Sequence, residues 1–195
     1  MNKILFILSF FVTSLWVSAQ TFTDKALQQS ASQLNITNTE GDLDKLFKKF
    51  TETKTSEKWQ ANYYAAVSMY LKAELLSKKS NASATEANAM AEKFALGTSI
   101  SQPDNSEIKI LLGLITLQSM QIGIYRYPAK GTQAVTEFIS KAENSDPSNP
   151  RLAILKAKSA EKSGNKSEAD IQYQKAATGL DSIPGWGKQL IQTNK

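Results

Sequence analysis

The sequence predicts an all-α fold of antiparallel helix pairs stacked as a short solenoid. Three observations carry that reading. Apolar residues recur with a helical period in nearly every segment, no stretch alternates apolar and polar residues between turn signals, and Pro and Gly fall between the periodic segments at positions such as 97, 103, 164 and 185. A chain of 195 residues, 41% hydrophobic and 21% charged, has the composition of one ordinary globular domain.

Residues 1–19 are set apart from the rest. Met1, Asn2 and Lys3 are followed by an uncharged apolar run over residues 4–17 and then by Ser18, Ala19 and Gln20. This is the basic, apolar and small-residue order of an export leader, with cleavage expected after Ala19. The alternative, a membrane anchor, needs about 20 apolar residues, and the run is shorter. With no cysteine after it, a lipid anchor is not expected. The domain reading is therefore a leader over 1–19, N-terminal helices over 20–54 and a helical repeat domain over 55–195. The mature chain is expected to be soluble, in the periplasm or outside the cell, with no membrane span.

The helices follow in order. Residues 24–34 place Ala26, Leu27, Ala31 and Leu34 on one side, and residues 41–53 place Leu43, Leu46, Phe47 and Phe50 at i, i+3, i+4 and i+7. Residues 56–78 carry two neighbouring stripes, one of Trp59, Tyr63, Ala66 and Tyr70, the other of Tyr64, Val67, Leu71 and Leu75, which implies two packing partners. Ser83 with Glu86 three residues on reads as a capping box for a fourth helix that closes at Gly97. Residues 110–125 contain no charge and are apolar on all sides, the mark of a buried central helix. A loop over 125–131 breaks that pattern. Helices over 132–144, 149–163 and 167–180 and a short piece over 186–192 complete the chain.

The segment 146–181 has the clearest internal architecture. Asp146, Pro147, Ser148, Asn149 and Pro150 stop one helix and start another, Ala157 and Ala160 supply small residues, and Gly164 and Asn165 form a tight turn. Ala169, Tyr173 and Ala176 then sit at i, i+4 and i+7. This spacing resembles the tetratricopeptide repeat of about 34 residues. Lys156 and Ala153 depart from its usual leucine and tryptophan, as in a terminal copy. Ala134, Phe138 and Lys141, with Leu112 and Gly113, resemble the preceding repeat, and residues 59–96 an earlier one. The order Trp59, Tyr63, Tyr64, then Asn105, Glu107, then Asn149, Pro150, Arg151, then Pro184, Gly185, Trp186, Gly187 is also similar to a family of short secreted tetratricopeptide-like proteins from Bacteroidota. That resemblance implies fold and export more than activity.

The absence of cysteine and histidine removes thiolate catalysis, cysteine-ligated metals, the usual neutral-pH base and the commonest metal ligand. Glu86, Glu92, Asp104, Glu107, Glu137 and Glu143 form no recognisable catalytic pair, neither Ser77 with Lys78 and Lys79 nor Ser80 with Ser83 and Lys93 reproduces a Ser-x-x-Lys nucleophile spacing, and no glycine-rich phosphate loop is present. No catalytic residue, metal or cofactor is expected. The formal charge is +5, but only Arg126 and Arg151 are arginines and the lysines are interleaved with acids, so nucleic acid is not an expected partner.

The expected role is a non-catalytic scaffold that holds a protein or peptide segment in the groove left by stacked helix pairs. Candidate contacts are the amides of Asn62, Gln118 and Gln121, which suit surface or interhelix contacts as well, and the rings of Tyr63 and Tyr70, although such an aromatic stripe is more often core. Arg126 between Tyr125 and Tyr127 can grip a carboxylate, or can satisfy the orphan carbonyls at the end of the buried helix. A small-ligand pocket under the 125–131 loop and a self-associating envelope module are the alternatives. Asp181, Ser182 and Ile183 match a short O-glycan acceptor pattern, which makes Ser182 a candidate modification site.

Overall fold

The computed structural model describes residues 22–192. The leader expected over residues 1–19 lies outside them. Among the described residues the secondary structure is entirely helical: α1 (Lys25–Gln33), α2 (Glu40–Glu52), α3 (Lys58–Ser77), α4 (Asn81–Ser101), α5 (Ser106–Gln121), α6 (Pro128–Ser145), α7 (Pro150–Lys162), α8 (Lys166–Gly179), a 3-10 turn (Leu180–Ser182) and α9 (Lys188–Gln192).

Each start has a local cause. The side chains of Asp24, Thr39, Asn105, Asn149 and Asn165 accept hydrogen bonds from the first free backbone N–H groups of α1, α2, α5, α7 and α8. Pro128 and Pro150 stand in the first turns of α6 and α7, where a missing N–H is no loss. Three boundaries differ from the sequence reading. Helix α4 begins at Asn81, so Ser83 lies inside it, and it runs through Gly97 to Ser101. Gly97 sits in an open stretch where its cost as a helix residue is outweighed by packing on either side. Helix α5 starts at Ser106 because Asn105 caps it, although the charges of Glu107 and Lys109 had masked that first turn. Helix α6 starts at Pro128, which shortens the expected 125–131 loop.

Helices pack as adjacent pairs, α3 with α4, α5 with α6 and α7 with α8, while α3, α5 and α7 also touch one another in series. These three helices are parallel and form an inner row, with α4, α6 and α8 behind them. Helix α2 packs on α3, and one continuous core joins Leu27, Leu43 and Phe50 of the N-terminal helices to the inner row and to Trp186 and Leu190. The long apolar stripe of α5 is buried from Ile108 to Leu117, as expected of a central helix.

Close approach within the row depends on Gly113. A Cβ there would lie 2.7 and 2.9 Å from the two terminal methyls of Leu155, which is itself fully buried. Gly113→Ala is expected to destabilise the protein by about 1 kcal/mol, an overpacking penalty of about 1–3 kcal/mol less a gain in helix propensity of about 1 kcal/mol. Urea unfolding checks it, and a stabilised variant would show that α7 yields to α5.

After α8 the chain turns back across the inner row. The 3-10 turn leads into residues 183–187, Trp186 settles between α3 and α7, and the Gln189 amide donates to the Leu34 carbonyl at 2.8 Å. The C-terminal segment thereby ties the last helix pair to the first helices.

Candidate functional site

The inner row carries a polar cluster at each end. At the end where α3, α5 and α7 begin, Arg151 and Glu107 form a buried ion pair, with Arg151 Nη1 2.9 Å from Glu107 Oε1 and side-chain exposures of 2% and 10%. Glu107 sits in the first turn of α5, where the helix dipole favours an anion, whereas Arg151 occupies the first turn of α7, where the dipole opposes it. The carboxylate therefore offsets both the burial and the misplaced charge of the guanidinium.

Further hydrogen bonds hold each member of the pair. The Asn149 amide donates to Glu107 Oε1 at 2.7 Å, and the Tyr63 hydroxyl donates to Oε2 at 2.5 Å. Arg151 Nε donates to the Trp186 carbonyl at 3.0 Å and Nη2 to the Pro184 carbonyl at 2.5 Å. Trp186 completes the ring by donating from Nε1 to the Tyr63 hydroxyl at 2.9 Å, with its indole 5.0 Å from the guanidinium carbon and edge-on to Tyr70 at 6.1 Å. Burial opposes the Arg151 charge, but the Glu107 carboxylate and the nearby tyrosine hydroxyls outweigh it and raise its pKa. Burial first, and Glu107 second, push Tyr63 well above the ordinary tyrosine value. Tyr64 is also raised, by burial against the opposing pull of Arg151, with Glu107 adding to the rise.

The second cluster joins the far ends of the same helices. The Gln118 amide donates to Glu74 at 2.8 Å and to the Tyr70 carbonyl at 3.3 Å, while its oxygen accepts from Asn88 at 2.7 Å. Ser119 donates to Asn88 at 2.6 Å, and Lys158 pairs with Glu74 at 2.8 Å. The Tyr70 hydroxyl is buried near Glu74 without completing a hydrogen bond, and burial, with Glu74 next, holds its pKa well above the ordinary value.

This second cluster opens to solvent. A cleft of about 280 Å³ lies among α3, α5 and α7, lined by Glu74, Leu117, Gln118, Gln121, Lys158 and Lys162. Glu74 also borders a smaller cleft of about 160 Å³ with an apolar wall of Leu43, Leu71, Leu75 and Leu190. Polar donors and acceptors thus face one side of Glu74 and leucine side chains the other.

The residues singled out from the sequence divide among these places. Gln118 and Gln121 share the open cleft, Gln121 exposed and Gln118 buried beneath it. Tyr63 and Tyr70 are fully buried, and Trp186 covers both. Their stripe is core, closed by the C-terminal segment, so neither ring lines an open groove in this conformation. Asn62 is half-buried on the α3 face it shares with Met69 and Leu76, which look toward α2 and α4, so it does not join the two glutamines. Arg126 and Lys130 are exposed and lie on the Tyr127 ring, each 5.3 Å from its centroid. Beneath this loop a Cβ on Gly131 would meet Met120 Sδ at 2.6 Å and Tyr125 Cε1 at 3.1 Å, so Tyr125 fills the space against α6. Ser182 is exposed in the 3-10 turn and donates to the Gly179 carbonyl at 2.6 Å.

In the sequence Glu107 stands out only as a carboxylate without a catalytic partner, Arg151 only as part of the resemblance, and Glu74 not at all. A signal for the first pair existed: one of two arginines in the chain follows an Asn-Pro helix start, where a cation is out of place, and Glu107 stands at the matching position after Asn105. No helix among the described residues is long and apolar enough to cross a membrane. Comparison with protein-family models, with curated proteins and with solved structures finds no match to this chain.

Proposed function

We propose that the protein is a non-catalytic exported adaptor of tetratricopeptide-like design, which holds a segment of another protein against its inner helix row. One observation carries this reading. The open cleft among α3, α5 and α7 offers what an extended peptide needs, namely the exposed amide of Gln121 and the exposed ammonium of Lys162 for a backbone, above Gln118 and Lys158 that Glu74 holds in place, with a leucine-walled recess beyond Glu74 for an apolar side chain. Export rests on the leader-like order of residues 1–19.

Selection from a displayed library of random peptides on the folded protein tests the proposal. Enriched peptides are expected to carry an apolar residue, and the double variant Gln121→Ala/Lys162→Ala to bind them at least tenfold more weakly with unchanged helix content. Both residues are exposed, so their loss leaves the core intact. No enrichment over an unrelated helical protein, or binding indifferent to the double variant, would overturn the reading.

A further inference from the structure

The buried cluster at the opposite end of the row has the form of a filled peptide site. Residues 184–187 cross the inner face, and Arg151 takes two of their backbone carbonyls, those of Pro184 and Trp186, with two different guanidinium nitrogens. The single large side chain of the segment enters a slot made by Tyr63, Tyr70 and Arg151, where its one polar atom is satisfied. Gly185 and Gly187 flank it with φ of +107° and +125°, which side chains rarely adopt. The fit is also steric. A Cβ on Gly185 would lie 3.2 Å from the Tyr64 ring and 3.3 Å from Arg151 Nη2, and one on Gly187 would lie 2.8 Å from a Leu180 methyl.

These contacts read an aromatic residue between two glycines through carbonyls and an indole N–H, and none of them depends on the segment being covalently joined to α8. The holding groups, moreover, come from α3, α5 and α7, the same three helices that line the open cleft. We infer that the Arg151–Glu107–Tyr63 cluster is a binding site for a bent glycine-tryptophan-glycine segment of a partner protein, and that residues 184–187 occupy it in cis as the resident competitor. The inference rests on the adaptor reading for its partner, but on a different set of residues for its site. A tethered segment has an effective concentration of about a millimolar, so a free peptide at micromolar concentration enters only when the resident one is weakened.

The test uses the full chain and a fluorescein-labelled peptide with the sequence of residues 181–190, beside a control peptide with alanine in place of its tryptophan. Trp186→Ala protein is expected to bind the probe at least tenfold more tightly than unaltered protein does, and not to bind the control. Adding Arg151→Met together with Glu107→Leu to that variant, which leaves no buried charge, is expected to abolish binding of the probe while helix content is kept. If Trp186→Ala protein is unfolded alone, the probe and not the control is expected to restore its helical circular dichroism. Equal affinity of unaltered and Trp186→Ala protein, or a Trp186→Ala chain that neither binds the probe nor regains helix with it, would overturn the inference. Peptides selected on the Gln121 and Lys162 cleft are a separate readout, so failure here and failure of the adaptor reading are told apart.

Discussion

Arg151→Met is expected to cost about 3–5 kcal/mol of stability, because it leaves the Glu107 carboxylate buried without its counter-charge. The pair itself is not the source of a comparable net gain. Its attraction is largely spent against the desolvation of two ions, and the Pro184 and Trp186 carbonyls also lose their donors when the guanidinium goes. The double variant Arg151→Met/Glu107→Leu is therefore expected to recover a large part of the loss, since no buried charge remains. Urea unfolding of the two single variants and the double variant measures this directly. Additive losses would mean that the two side chains do not act as a unit. A single-variant loss below about 1 kcal/mol would mean that water reaches the cluster.

Alkaline pH is expected to unfold the protein through three tyrosines. Tyr63, Tyr64 and Tyr70 are raised above the ordinary value of about 10, burial being the largest cause for each. A group whose pKa is raised by folding keeps its proton in the fold after the unfolded chain has released it. The stability it contributes is complete below about pH 10 and declines as pH rises toward the folded value. Each tyrosine contributes a slope of about 1.4 kcal/mol per pH unit, so the three together remove about 4 kcal/mol per unit above pH 10. Unfolding midpoints at about pH 9 and about pH 11, with tyrosinate absorbance followed in the same samples, check the slope. A midpoint that does not move over that range would show that these hydroxyls are hydrated in the fold.

The sequence exposes the fold through features that depend only on neighbours along the chain. The i, i+3, i+4, i+7 pattern of Leu43, Leu46, Phe47 and Phe50, the uncharged run of α5 and the Gly164 turn each locate a helix or its end, and the helices pair as that order implies. Cap residues were harder to read. Ser83 with Glu86 imitates a capping box, yet the helix is already under way at Ser83, having begun after Ser80, because packing of Ala84 and Ala87 on α3 carries it back past the apparent box.

The candidate site was legible only in part, for a physical reason. Gln118 and Gln121 are one turn apart on α5, and their chemistry suits a peptide wherever they lie. The cluster that joins Glu107, Arg151 and Trp186 spans contacts 44 and 35 residues apart, and no local pattern encodes such a meeting. Trp186 was visible as a tryptophan between glycines, but its docking on Tyr63, 123 residues earlier, is a tertiary event. The same docking makes core of the aromatic stripe on α3, which the sequence left open between core and groove.

The central claim is that the inner row of α3, α5 and α7 receives a peptide. Two-dimensional NMR of the folded protein, titrated with a peptide selected on it, tests that claim most directly. The Gln118 and Gln121 side-chain amides are expected to shift, with backbone amides at the ends of α3 and α7, while the outer helices α4, α6 and α8 stay in place. Shifts confined to the outer helices, or to the Arg126 and Tyr127 loop, would contradict it.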